Sequence, residues 1–177
     1  MPIPQHINVV LIGMPAAGKS TIGVVLAKRT GRAFVDTDLL VQERAGKPLQ
    51  QIIADEGTSA LRALEDQCVA ELRCRAAVIA TGGSVVYSDE SVAHLRRGGV
   101  LVYLNVPLAE LAVRLTDADT RGLVRRPGQS LSELYRERAP LYRRAADVEV
   151  DCSGLAPAEA VSAVERALAA TDWKERQ

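Results

Sequence analysis

Residues Gly13-Met14-Pro15-Ala16-Ala17-Gly18-Lys19-Ser20 match the pattern G-x-x-x-x-G-K-[ST], set between an apolar run, Ile7 to Ile12, and a segment with helical spacing, Lys19 to Arg29. A strand entering such a loop and a helix leaving it bring successive backbone N–H groups and the positive end of the helix dipole to one point. A phosphate chain belongs there. Gly13 and Gly18 let the backbone turn, Lys19 reaches the outer phosphates, and the Ser20 hydroxyl can hold Mg²⁺. The strand before and the helix after argue against a chance glycine-rich turn.

The same alternation runs to the end of the chain. Ala33-Phe34-Val35, Val78-Ile79-Ala80, Val100 to Leu104 and Val148-Glu149-Val150 read as strands between helical segments, which predicts an α/β domain with a largely parallel sheet. At 177 residues, one domain is expected. Leu61, Leu64, Cys68 and Leu72 recur at helical steps and predict a buried stripe with charges on the other face. Ser130 and Glu133 form a capping box, Pro140 is expected to kink or end the helix that follows, and Pro157 suits a first helical position. The stretch from Thr116 to Gln129 has no clear period and reads as a mobile loop.

Composition narrows the classes. With 47% hydrophobic residues the chain is not intrinsically disordered, and 22 basic against 22 acidic residues give no whole-molecule attraction to nucleic acid or anionic lipid. Neutrality conceals an asymmetry: Arg114 to Arg144 holds eight arginines against four acids, which suits small polyanionic ligands. Cys68, Cys74 and Cys152 lack the spacing of a disulfide framework or a zinc site. The first six residues do not resemble a leader, and no apolar run approaches the ~20 residues of a membrane span. A cytoplasmic protein is expected.

The phosphate loop alone leaves a kinase, GTPase, ATPase or nucleotide sensor open. Asp36-Thr37-Asp38 follows the second strand, and in extended chain residues two apart face one side. One carboxylate near Ser20 can serve Mg²⁺, while the other accepts hydrogen bonds from substrate hydroxyls or takes a proton. The competing reading makes Asp38 the cap of the helix beginning at Leu39.

The phosphate loop, Asp36-Thr37-Asp38, Arg62 with Glu65, Ala80-Thr81-Gly82-Gly83 and Arg138-Ala139-Pro140-Leu141-Tyr142 occur in an order that resembles the shikimate kinase family. The resemblance implies a single domain over 1–177 with a three-layer P-loop kinase fold related to the nucleoside monophosphate kinases: a five-stranded parallel sheet, a substrate-binding helical region near 37–66 and a lid near 116–129. It implies ATP-dependent phosphorylation of the shikimate 3-hydroxyl, a step of aromatic amino acid biosynthesis. It further implies that Gly13, Met14, Pro15, Ala16, Ala17, Gly18, Lys19, Ser20 and Thr21 bind the nucleotide, with Arg114 on adenine and Arg121 on the phosphates. Mg²⁺ falls to Ser20 and Asp36. The substrate falls to Asp38, Arg62, Gly82, Gly83 and Arg138, and catalysis to Lys19, Asp38 and Arg121. A guanidinium pair suits one small acid, because each offers two parallel hydrogen bonds to a carboxylate.

Each assignment competes with an ordinary role. Arg62 can pair with Glu65 or Asp66 on its own helix. Arg121 can be a solvated loop charge that exchanges roles with Arg125 or Arg126, and Arg138 a surface arginine. Gly82-Gly83 can be a simple turn, and His6 and His94 surface residues. The chain departs from the family pattern at Ala16, Gln42, Gly57-Thr58, Ser84 and Arg121-Gly122-Leu123-Val124. These changes fall mainly on the substrate turn and lid. A kinase for another small hydroxy acid or sugar acid is therefore one alternative, and a non-catalytic nucleotide-binding regulator another. A monomer that binds neither nucleic acid nor membrane is expected.

Overall fold

Strand β1 (Asn8–Ile12) is buried at every residue, as is β3 (Ala77–Ala80), and six of the seven residues of β4 (Gly99–Asn105) are buried. Strands this apolar on both faces need helices above and below them. The computed structural model, which describes residues 4–117, 128–171 and 173, places them at the centre of a sheet edged by β2 (Ala33–Asp36) and β5 (Val148–Asp151). The order is β2-β3-β1-β4-β5, all parallel, with Val10 opposite Ile79 on one side and Leu101 on the other. The fold is the expected three-layer α/β arrangement.

Among the described residues seven α-helices complete it: α1 (Lys19–Thr30), α2 (Thr37–Ala45), α3 (Leu49–Glu71), α4 (Asp89–Gly98), α5 (Leu108–Asp117), α6 (Leu131–Ala145) and α7 (Pro157–Ala170). Helix α1 buries Ile22, Gly23, Leu26 and Ala27, whereas Val25, three residues after Ile22, is 37% exposed. Gly23 is what lets α1 lie so close to the sheet, since a Cβ there would stand 2.6 Å from the Phe34 ring. The Ser130–Glu133 box caps α6, and Pro157 opens α7. Pro140 does not end α6, which runs on to Ala145. A proline withdraws one N–H from the helix, and the buried face of Arg138, Ala139, Tyr142 and Ala145 holds the rest in place.

Helix α3 is broken at Gly57, whose φ of 85° lies in the left-handed region. Beyond the break its buried residues are Leu61, Glu65, Cys68 and Val69. Glu65 thus sits inside the stripe, not on the charged face. Val41, Ile52, Leu61 and Cys68 form a small core between α2 and α3, separate from the main core around the sheet.

Three minor expectations fare differently. All three cysteines are free, but Cys74 is only half-buried. His94 is not a fully solvated surface residue: it is half-buried, with Nε2 3.1 Å from the Leu72 carbonyl oxygen. Among the described residues no helix is long and apolar enough to cross a membrane.

The connections place the site. From β1 the chain passes to β2 on one side, and from β3 it crosses β1 to β4 on the other, so the carboxyl ends of adjacent β1 and β3 flank a switch of direction. A crevice opens at such a switch. The phosphate loop follows β1, Asp36 to Asp38 follow β2, and Gly82 to Ser84 follow β3.

Candidate active site

The loop after β1 is shaped by its backbone angles. Gly13 has φ 150°, and a Cβ there would meet the Leu104 carbonyl oxygen at 2.9 Å; Gly18, at φ 91°, precedes α1. Ala16 also takes a left-handed conformation, φ 63°, at a cost of ~1 kcal/mol for a residue with a Cβ. Met14 and Ala17 are buried beneath the loop, while Ser20 and Thr21 are exposed at the start of α1. Lys19 Nζ donates to the carbonyl oxygens of Gly13 and Met14, both at 2.9 Å, which keeps the ammonium over the loop. Burial pushes the Lys19 pKa down to about 8 against the pull of Asp38, and Arg138 pushes the same way as burial. An anion at Nζ favours the charged form again.

Arg114 lies beside this loop. Its Nη1 donates to the Ala16 carbonyl oxygen at 3.3 Å and its Nη2 to Glu110 at 3.4 Å, while the other Glu110 oxygen accepts from the Gly154 N–H at 2.8 Å. One arginine therefore links α5, the phosphate loop and the turn before α7.

Asp36 joins the two halves of the crevice. Ser20 Oγ donates to Asp36 Oδ2 at 2.6 Å, and the Asp38 N–H donates to Asp36 Oδ1 at 3.0 Å. Capping of α2 thus falls to Asp36, not Asp38, because the helix begins at Thr37, directly after the strand. Asp38, inside the first turn, is released to point elsewhere. Among the described residues no three His, Cys, Asp or Glu side chains gather into a metal cage. A hydroxyl beside one carboxylate at a phosphate cradle still fits Mg²⁺, which keeps several waters and draws its other ligands from phosphate.

Asp38 faces the turn after β3. A Cβ on Gly82 would stand 2.5 Å from Glu65 Oε1 and 2.8 Å from Asp38 Oδ1, so any side chain there would displace these two carboxyl groups. The Gly82 N–H donates to Thr37 Oγ1 at 3.0 Å. Asp38 Oδ1 is buried with no hydrogen-bond partner. Burial raises the Asp38 pKa and nearby Asp36 adds to the rise, while Lys19 opposes it. Glu65, 6% exposed, accepts a hydrogen bond from Ser84 Oγ. Burial lifts its pKa to about 7, with the Ser84 bond opposing and Asp38 reinforcing.

Both expected carboxylate-binding arginines reach this turn. Arg138 is fully buried, which removes the surface reading, and its Nη1 stands 3.1 Å from where a Gly83 Cβ would be. Tyr142, one turn along α6, donates its hydroxyl to the Gly83 carbonyl oxygen at 2.5 Å. Arg62 makes no ion pair with Glu65 or Asp66; its Nε is buried with no partner, and its guanidinium lies 4.2 Å from the centre of the Tyr87 ring. Arg62, Glu65, Ser84 and Tyr87 line a cavity of about 340 Å³. A larger cavity, about 480 Å³ at the amino ends of β1 and β3, holds none of the expected site residues. Chemistry, not volume, marks the site.

A family model for shikimate kinase matches residues 15–169. The chain belongs to the shikimate kinase family. The shikimate kinase of Aromatoleum aromaticum is 41% identical over 163 residues, covering 90% of this chain and 93% of that protein. That of Thermobifida fusca is 39% identical over 163 residues, covering 91% and 94%. Among solved structures, shikimate kinase from Acinetobacter baumannii in complex with shikimate superposes with a TM-score of 0.80 at 30% identity, covering 90% of each chain. A gluconokinase from Sinorhizobium meliloti, at 19% identity and a TM-score of 0.52, shares the fold alone.

Within this shikimate kinase family member, Lys19, Ser20, Asp36, Asp38, Gly82, Gly83, Arg62 and Arg138 stand around one crevice with Arg114 beside the phosphate loop, Thr21 is exposed on α1, and Arg121 lies outside the described residues together with Arg125 and Arg126. Two neighbours of the site were not singled out from the sequence. Glu65 entered as part of the Arg62 motif and as a possible ion-pair partner, without a role of its own, although its place four residues after Leu61 puts it on the buried face. Tyr87 ends the 3-10 turn Val85–Tyr87 after Gly82-Gly83-Ser84, and nothing local marks it.

Proposed function

We propose that this protein transfers the γ-phosphoryl group of ATP to the 3-hydroxyl of shikimate. The observation that carries the reading is the meeting, across one crevice, of a phosphate cradle with a buried carboxyl and two guanidiniums. Pro15 of the cradle lies 3.3 Å from where a Gly83 Cβ would be, so the nucleotide loop and the acceptor turn touch. Membership of the family and the shikimate-bound relative support the choice of acceptor.

In this reading the phosphates lie along Gly13 to Thr21, Lys19 contacts the transferred group, and Arg114 flanks the base. Mg²⁺ at Ser20 and Asp36 supplies positive charge to the phosphate oxygens. Arg62 and Arg138 bind the shikimate carboxylate, and the backbone at Gly82-Gly83 lets the ring approach. Asp38 Oδ1 accepts the hydrogen bond of the attacking hydroxyl. As the new O–P bond forms and the bond to the leaving ADP oxygen breaks, the hydroxyl proton passes to Asp38. A carboxylate with a raised pKa is better suited to take it than an ordinary aspartate. Arg121 belongs to this reading as the lid cation on the phosphates.

Coupled ADP release from purified protein tests the proposal. Turnover requires both ATP and shikimate. One observation favours a second acceptor: Ser84 places a hydroxyl and a bound carboxyl in the turn where the family usually has glycine. Turnover of another hydroxy acid, with none of shikimate at millimolar concentration, would replace the first reading with the second. A cytoplasmic location and a monomeric state complete the reading, and cell fractionation and light scattering test them.

A further inference from the structure

Two cations that must serve one carboxylate repel each other, and Arg62 needs its N–H groups left available. The structure meets both needs with a ring. The Arg62 guanidinium lies 4.2 Å, and that of Arg138 5.1 Å, from the centre of Tyr87. The Tyr87 hydroxyl accepts from Arg138 Nε at 3.1 Å and donates to Glu137 Oε1 at 2.7 Å. Gln129 in turn donates to Glu137 Oε2 at 2.8 Å. Buried Val85 and Val86 anchor the turn that carries the ring.

We propose that Tyr87 is a positioning residue that determines specificity for an acidic substrate by holding Arg62 and Arg138 together on one ring, which leaves the Arg62 donors unoccupied and takes Arg138 by its Nε. The proposal rests on the function proposed above. An aromatic face attracts a guanidinium through its quadrupole, and the contact uses the flat face of the cation. A guanidinium held this way, as Arg62 is, keeps its in-plane N–H groups for a carboxylate. An acidic partner would also steady Arg62, but it would compete with the substrate for the same N–H groups. Glu65 and Asp66 stand on the same helix, and neither pairs with Arg62: Glu65 accepts from Ser84, and Asp66 from Ser91 at 2.7 Å. Arg62 Nε, buried and without a partner, is left for the ligand. The ring and Arg62 line the same 340 Å³ cavity, so the cation is held at the wall that the acid would meet.

The test compares wild type with Tyr87→Leu, which removes the ring, and Tyr87→Phe, which keeps it and removes the hydroxyl. Shikimate KM is expected to rise about tenfold in the leucine variant and less than about threefold in the phenylalanine variant, as loss of a cation–ring contact predicts. ATP KM and kcat at saturating shikimate should stay within about twofold of wild type. Calorimetric binding of shikimate and its uncharged methyl ester supplies the readout that a purely structural role would not move. Tyr87→Leu should weaken binding of the acid and leave that of the ester within about twofold. Equal weakening of both, or no change for the acid, overturns the proposal. Tyr87→Met gives the same comparison if the leucine variant does not fold. A wild-type protein that fails to bind shikimate would overturn the proposed function first, which separates the two failures.

Discussion

The Ser84 hydroxyl donates to the buried carboxyl of Glu65, whose other oxygen shares the space around Gly82 with Asp38. A side chain from the β3 turn is thereby tied to one from α3 across the acceptor side of the crevice. Glycine at residue 84 could not make that bond. The serine holds Glu65 in one orientation and opposes the rise of its pKa. The acceptor half of this chain is consequently stiffer and more polar than a three-glycine turn would make it.

Replacing Lys19 by alanine removes the cation held over the phosphate loop. We expect kcat to fall by about 10²–10³, the usual effect of losing one preorganised donor to a developing charge. Far-ultraviolet circular dichroism should be unchanged. Turnover equal to wild type would remove Lys19 from the phosphoryl-transfer machinery.

Asp38→Asn is expected to lower kcat by about 10²–10⁴ while ATP KM stays nearly constant, because it deletes an acceptor for the hydroxyl proton. Burial raises the Asp38 pKa. The acid limb of the wild-type kcat/KM profile should therefore lie above the ordinary aspartate value, with activity gained as pH rises through it. An acid limb at or below that value would show that Asp38 is not the controlling group.

Arg62→Ala removes one charged hydrogen-bonding partner of the substrate acid, a loss of roughly 1.5–3 kcal/mol. Shikimate KM should rise about 10- to 100-fold, with ATP KM within about twofold. Steady-state kinetics with each substrate varied in turn decides it. A selective loss of ATP affinity would place Arg62 on the nucleotide side.

Glu65 gives a pH dependence of stability. Its pKa is about 7 in the folded chain and 4.5 for an unperturbed glutamate. Between these values the folded state keeps a proton that the unfolded state has lost, so this group's contribution to stability falls as pH rises from 4.5 to about 7. The Glu65→Gln variant has no such ionisation. Its urea midpoint should be less sensitive to pH across that window, the difference reaching on the order of 3 kcal/mol. Parallel midpoints for the two proteins would contradict the assignment.

Much of this arrangement is legible in the sequence, because the signals involved are local. Strands buried on both faces write themselves as continuous apolar runs, and the Ser130–Glu133 box and Pro157 mark helix starts by chemistry confined to one turn. Asp36 and Asp38 are readable as a pair, but their division of labour is not: α2 starts two residues too early for Asp38 to cap it. Tertiary contact defeats the rest. Glu65 looks like a surface charge until Ser84, 19 residues away, and Asp38 are brought beside it. Tyr87 acquires its role only when Arg62 and Arg138, from helices distant in the chain, converge on one ring.

Asp36 spends its two oxygens on different tasks, one on the Ser20 hydroxyl and one on the Asp38 N–H. The first turn of α1 and the first turn of α2 are therefore hinged on a single carboxyl group. Neither turn can be displaced without loosening that group from one of its two partners. Under the proposed function, a nucleotide on α1 and an acceptor against Asp38 would share that one carboxyl as a common support.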